Sequence, residues 1–298
     1  MQARVHSLLV GDSEVKLLQV RVRLLFVCLT LQIVAVYHTR ARGMICPSAS
    51  DPLEEIMGWA GTAAALLLFL VPLSTMRAIR RRGSVAEYSC VPYTLSLAQC
   101  MLWATYALPM VTPCKTQPLI TNSLGTALEL GYVLVFLRYA GARRKEITVQ
   151  VLGMLVGFCA IVLFALLAAP HIEGLKPFPP ETPPLSRQTT VLGFVAAISN
   201  VGMYAAPLSA MRQVVRTRSV EFMPLSLTLA TGGCSVAWMV WALKAGDDFV
   251  LAPNVAGVLL TIAQLVLYVR FCGQTKKLAL VNGGEALISP AANVPVDF

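Results

Sequence analysis

Charged side chains are scarce in this chain, and that excludes a surface that faces water all round. Only 13% of its 298 residues are Asp, Glu, Lys or Arg, where a soluble domain carries about 25%. Acid is scarcer than base, with 15 Asp and Glu against 24 Lys and Arg. In a soluble protein a surplus of +9 would suggest nucleic acid. Here the basic residues cluster briefly between apolar windows, so they read as topology signals and no nucleic-acid partner is expected. Histidine is almost missing: His6, His38 and His171 are far apart and outside the apolar windows. The eight cysteines contain no CxxC. Cys100, Cys159 and Cys234 fall inside apolar windows, where a free thiol behaves as a small hydrophobe. No metal-ligand spacing, glycine-rich phosphate loop or pair of deep carboxylates occurs. The expectation is a non-enzyme with no metal and no cofactor.

Apolar sequence is what the chain has in plenty, at 56% hydrophobic residues and a mean hydropathy of +0.69. A spanning helix needs about 20 mostly apolar residues. Windows that meet this lie near 56–78, 91–111, 117–138, 148–169, 190–212, 223–244 and 251–272. Hydrocarbon offers no partner to a bare amide, so each window is predicted to be a helix. The fold class that follows is an all-α integral membrane protein with seven transmembrane helices.

Loop charge orients them. Arg77, Arg80, Arg81 and Arg82 follow the first window; Arg143, Arg144 and Lys145 the third; Arg212, Arg216 and Arg218 the fifth; Lys276 and Lys277 the seventh. The alternate loops hold only Lys115, then Lys176 and Arg187, then Lys244. Basic loops stay cytoplasmic, so the first helix starts outside and the C-terminus is cytosolic. The proline-rich segment 171–188 reads as an external connector. Residues 1–55 form an extension whose apolar run, Leu24 to Tyr37, suits a signal-peptide core, an uncleaved anchor or sequence upstream of the true start.

The chain also repeats itself. PLSTMRAIRRRGSV begins at Pro72 and PLSAMRQVVRTRSV at Pro207, 135 residues on. Met76 matches Met211, Arg77 matches Arg212 and Trp103 matches Trp238 at the same spacing. Pro92/Pro224 and Asn122/Asn254 are 132 apart, so small insertions separate the blocks. Each copy holds three helices, with the fourth window between them. One spare helix restores the starting side, which makes the copies parallel, in a 3+1+3 order of two three-helix bundles and a linker helix. The predicted organisation is 1–55 extension, 56–145 first repeat, 146–188 linker helix and external loop, 189–272 second repeat and 273–298 cytosolic tail.

Certain stretches carry a family resemblance over roughly 56–272: VPYTLSLAQCMLWATYALP, TNSLGTALELGYVLVFL, MYAAPLSAMR, RSVEFMPLSL and FVLAPNVAG. Together they resemble the SWEET sugar transporters, built from MtN3/saliva-type repeats. The resemblance implies a facilitative uniporter that moves mono- or disaccharides in either direction by alternating access. It implies a proline tetrad at Pro72, Pro92, Pro207 and Pro224, pocket asparagines at Asn122 and Asn254, pocket walls at Trp103 and Trp238, and an outer gate at Tyr106 and Asp247. The first helix departs from the pattern, with Thr62 where many members have Asn, and Asp248 stands where Pro is frequent. The expected partners are a sugar and the lipid bilayer, with a homo-oligomer left open; the default location is the plasma membrane.

The residue types suit that chemistry. An Asn amide both donates and accepts, as a sugar hydroxyl requires. Either Asn could instead bond a neighbouring helix. An indole offers a large flat apolar wall. Leu68, Gln99, Gly202 and Cys234, a turn from these groups or from the prolines, are candidates for setting slot width. The prolines read as bending points of an inner gate or as static kinks, and Pro92 and Pro224 also as helix starters. Glu129 is the one acid well inside a window and reads either as a proton site or as a packed carboxyl. The other readings are a PQ-loop-like carrier of amino acids or another organic solute, and a seven-helix receptor. Leu73 and Leu208 stand where the first would place Gln, and a receptor shows no such halves.

Overall fold

The computed structural model describes residues 51–172 and 187–281. The apolar run Leu24–Tyr37 and Pro177, Pro179, Pro180, Pro183 and Pro184 lie outside the described residues.

Helix α1 (Pro52–Leu70) opens where the local chemistry favours it. The Asp51 carboxylate accepts from the Leu53 amide at 2.9 Å, Pro52 fills the first turn, and Glu54 and Glu55 complement the helix dipole. The helix breaks at Val71–Pro72 and resumes as α2 (Leu73–Arg82). A proline cannot donate to the carbonyl four residues back, and its ring crowds that carbonyl. At the break Val71 N–H turns to Leu68 O at 3.1 Å, a tighter three-residue closure. The second repeat breaks differently. Helix α6 (Arg187–Gly202) ends before Met203–Tyr204, and Pro207 lies in the first turn of α7 (Ala205–Thr217). Pro207 crowds the carbonyl of Met203, so this break falls three residues earlier in repeat register than the one at Val71–Pro72.

Between these come α3 (Val91–Tyr106), α4 (Thr116–Tyr139) and α5 (Arg144–Leu163), and after α7 come α8 (Leu225–Ala245) and α9 (Asp248–Val281). Six described helical segments are long and apolar enough to span a membrane. The remaining window, 91–111, yields only α3. Pro109 disfavours helical geometry in Leu108, and the chain turns instead, with Val111 and Thr112 both donating to Leu108 O at 2.8 Å. Its shortness suits its place, since Leu97 and every residue from Cys100 to Tyr106 are buried by neighbouring helices.

Helices α1/α2, α3 and α4 form one bundle and α6/α7, α8 and α9 the other; α5 leans on α3 and joins them. The molecule is therefore an all-α membrane fold of two parallel three-helix bundles with a linker helix. Contacts between the bundles run through α1–α8 and α3–α6, which are repeat-related seams. Gly61 marks how close α1–α8 is: a Cβ there would lie 2.9 Å from the Trp238 ring. Side chains such as Val149, Val156, Leu243 and Val269 are exposed on the outer faces, as lipid contact requires.

Candidate solute site between the bundles

The two seams are chemical twins. Gln99 on α3 reaches Ala196 O on α6 at 3.4 Å, and Cys234 on α8 reaches Gly61 O on α1 at 3.9 Å. Gln99 and Cys234 are 135 apart, and so are Gly61 and Ala196. The polar chemistry is not symmetric. Gln99 also donates to Asn200 Oδ1 at 2.7 Å and accepts from the Ser199 hydroxyl, whereas Ala64 and Ala65 stand at the twin positions.

One turn along α3 and α8 are Trp103 and Trp238, 8% and 9% exposed, in one apolar cluster with Tyr106, Ala196 and Trp241. Trp103 stands edge-on to Tyr106 at 5.5 Å, and Trp238 edge-on to Trp241 at 5.5 Å. Tyr106 and Trp241 are themselves 135 apart, so these ring pairs are repeat mates.

Asn122 and Asn254 also behave alike. Each is half-buried, and each amide donates to the carbonyl four residues back on its own helix: Pro118 O at 2.8 Å and Val250 O at 2.7 Å. Neither amide bonds a neighbouring helix among the described residues. With the amide N–H on its own helix, each Asn has no bond assigned to its amide oxygen among the described residues, and that oxygen is an acceptor.

At the Tyr106 end the two bundles are tied together. Tyr106 Oη donates to Asp247 at 3.0 and 3.1 Å, and the Val250 amide adds a bond at 3.1 Å. Lys115 makes an ion pair with Asp247 at 3.1 Å, donates to Ala245 O at 3.3 Å and lies over the Trp241 ring at 5.1 Å. Lys115 and Asp247 are 132 apart, and each directly precedes the third helix of its bundle. Repeat-matched positions that touch one another must straddle the pseudo-two-fold axis. The axis therefore leaves the molecule through this ion pair. Nearby, Lys244 pairs with Asp51 at 2.8 Å, and this pair together with the Leu53 amide holds the Asp51 carboxyl below its ordinary value.

At the opposite end, Pro72 and Pro224 occupy the N-cap positions of α2 and α8, and Pro92 the first turn of α3. Leu68 is half-buried beside its break. Gly202 is exposed, a Cβ there would meet nothing within 4 Å, and the repeat spacing of 135 pairs Leu68 with Met203 instead. Glu129 is 3% exposed; Ser96 donates to its Oε1 at 2.8 Å, and its Oε2 has no hydrogen-bond partner among the described residues. No group of His, Cys, Asp and Glu suited to a metal occurs among the described residues.

Sequence reasoning counted Lys115 only as one base in a base-poor loop. Its repeat match to Asp247 was the signal that could have placed it at the closed end.

Two parallel copies of one three-helix unit, with matched polar and aromatic pairs where they meet, define the repeat-built membrane carriers. Comparison with known proteins narrows that class: the chain belongs to the family described as sugar efflux transporter for intercellular exchange, which matches residues 55–144 and 190–276. It is 36% identical over 229 residues to the bidirectional sugar transporter SWEET4 of Oryza sativa subsp. indica, covering 76% of this chain and 83% of the relative. It is 37% identical over 220 residues to SWEET1 of Arabidopsis thaliana, covering 74% and 84%. A solved eukaryotic SWEET transporter superposes with a TM-score of 0.66 at 30% identity, covering 75% of this chain and 99% of its own.

Proposed function

We propose that this chain is a bidirectional facilitative sugar carrier that alternates access to one slot between its two bundles. The observation that carries the reading is the matched pair Asn122 and Asn254. Both amides are fastened to their own helices and keep an oxygen for a solute hydroxyl. Trp103 and Trp238 supply flat apolar walls for the C–H faces of a sugar ring. The relatives named above as bidirectional sugar transporters support the same solute class.

In this reading the Tyr106 end faces outward and Tyr106–Asp247 is the closed outer gate. The prolines shape the inner mouth, and Leu68, Gln99, Gly202 and Cys234 set slot width. The basic clusters support a cytosolic C-terminus in this reading, and the plasma membrane is its proposed setting. Cys114, in the loop at the Tyr106 end, is disulfide-bonded, which suits an oxidising outer side. The proposed organisation is residues 56–145 and 189–272 as the two repeats, with 1–55 outside both copies and 146–188 between them. One chain already holds both halves of the slot, so a homo-oligomer would set carriers side by side without completing a site. The work is passage down a gradient, with no chemistry on the solute and no cofactor.

The test is flux of radiolabelled D-glucose and sucrose in cells without endogenous carriers. Asn122→Ala and Asn254→Ala should each abolish uptake at unchanged surface abundance. Normal flux in both variants would remove the slot.

A further inference from the structure

Each asparagine-bearing helix is tied to the first helix of its own bundle by the residue just before the asparagine. The two bundles use different chemistry for that tie. In the first, Thr121 Oγ1 lies 2.8 Å from Thr62 Oγ1 on α1. Thr62 also lies 2.8 Å from Gly58 O, and Thr121 2.8 Å from Gln117 O. Two hydroxyl protons serve these three contacts, so one back-bond yields whenever the cross-helix bond forms. Thr62 and Thr121 are 5% and 3% exposed, where an unmade bond is costly.

In the second bundle, the repeat spacings put Ala197 opposite Thr62 and Pro253 opposite Thr121, so the same bond cannot form. There the hydroxyl of Tyr204, the N-cap residue of α7, donates to the Pro253 carbonyl on α9. Tyr204 Oη would lie 3.1 Å from a Cβ on Gly257. The twin contact in the first bundle is Phe69 on Gly125, where a Cβ would lie 2.7 Å from the ring. Phe69 lacks a hydroxyl, so the first bundle has the ring without the bond. Each bundle thus lacks the other's anchor and has its own, both acting one residue before the asparagine. Tyr204 also stands at the helix break between α6 and α7, which links that break to the backbone beside Asn254.

We propose that Thr62 and Tyr204 are positioning residues for the solute site, Thr62 through Thr121 for Asn122 and Tyr204 through Pro253 for Asn254. This rests on the reading of the two asparagines as solute contacts. The anchors hold the amide oxygens at a fixed depth and spacing while the bundles rock, so their loss weakens solute binding more than turnover.

The experiment measures concentration-dependent flux of D-glucose and sucrose by the full chain, with surface biotinylation, for Thr62→Val, Thr62→Ser and Tyr204→Phe. Thr62→Val keeps the shape and removes the hydroxyl; Tyr204→Phe installs the ring of the other repeat. Each should raise KM roughly 3- to 10-fold, the scale of one lost hydrogen bond, with maximal flux within about twofold of wild type. Thr62→Ser should restore the wild-type KM. Unchanged KM in both Thr62→Val and Tyr204→Phe, while Asn122→Ala and Asn254→Ala are dead, overturns the anchors and leaves the slot standing. A loss of maximal flux at constant KM, or failure of Thr62→Ser to rescue, makes the contacts merely structural and also overturns the proposal. Normal flux in the asparagine variants would sink the slot, and the anchors with it.

Discussion

Asp247 gathers the ties between the bundles at the Tyr106 end onto one residue. Its side chain is 1% exposed and bonds to Lys115, the Tyr106 hydroxyl and the Val250 amide. Removing one partner of a buried pair leaves a charge without compensation and costs about 3–5 kcal/mol. Lys115→Met should therefore weaken the closed Tyr106 end relative to the open one. A chain with Cys90, Cys100, Cys159 and Cys272 replaced by Ser keeps Cys234 as its free thiol among the described cysteines. A membrane-impermeant thiol reagent added outside should modify Cys234 several-fold faster in Lys115→Met than in its parent; equal rates would deny Lys115 a part in closure. Asp51–Lys244 is a weaker tie, both side chains being 42% exposed. The folded Asp51 value is lowered, so its contribution is fully present above the unfolded value near 4 and is lost as pH falls through the folded value. Thermal stability should thus show no step from this pair between about pH 5 and 8, and Asp51→Asn should lower the melting temperature there only slightly.

At the scale of elements, the seams and the breaks carry the mechanics. Gly61 lets α1 lie against Trp238, and Gly61→Val would drive side-chain atoms into the indole. The overpacking should cost about 1–3 kcal/mol, read as a lower melting temperature in detergent. An unchanged melting temperature would mean that the seam is looser than drawn. The windows and the repeat were legible in the sequence because apolar length and spacing are local properties. The extent of α3 was not, since Pro109 inside an apolar window looks harmless until its effect on Leu108 is followed. Nor were the breaks. Pro72 and Pro207 match in sequence, but one caps the new helix while the other sits inside its first turn. Of the candidate site, the matched Trp and Asn pairs stood out as like residues at the two repeat spacings, 135 and 132. The anchors Thr62 and Tyr204 did not, because each bundle solves the same task with a different residue and the repeat hides what is unshared.

At the scale of the molecule, the two-fold organises everything else. It pairs the seams, aligns Trp103 with Trp238, and runs out through Lys115 and Asp247. The assigned ties between the bundles gather between the Gln99 level and the Tyr106 end. On the proposed reading, a molecule tied there presents its slot to the proline end, and rocking the bundles the other way opens the Tyr106 end instead. The same slot then serves both directions, driven by the gradient alone. Gradient-driven flux in proteoliposomes holding only this protein tests that most directly. With no ATP and no ion gradient, labelled D-glucose or sucrose should enter down its gradient. Reversing the gradient should reverse the flux, and Asn122→Ala with Asn254→Ala together should abolish it. No flux of either sugar from correctly inserted protein, or flux that requires an ion gradient, would contradict the account.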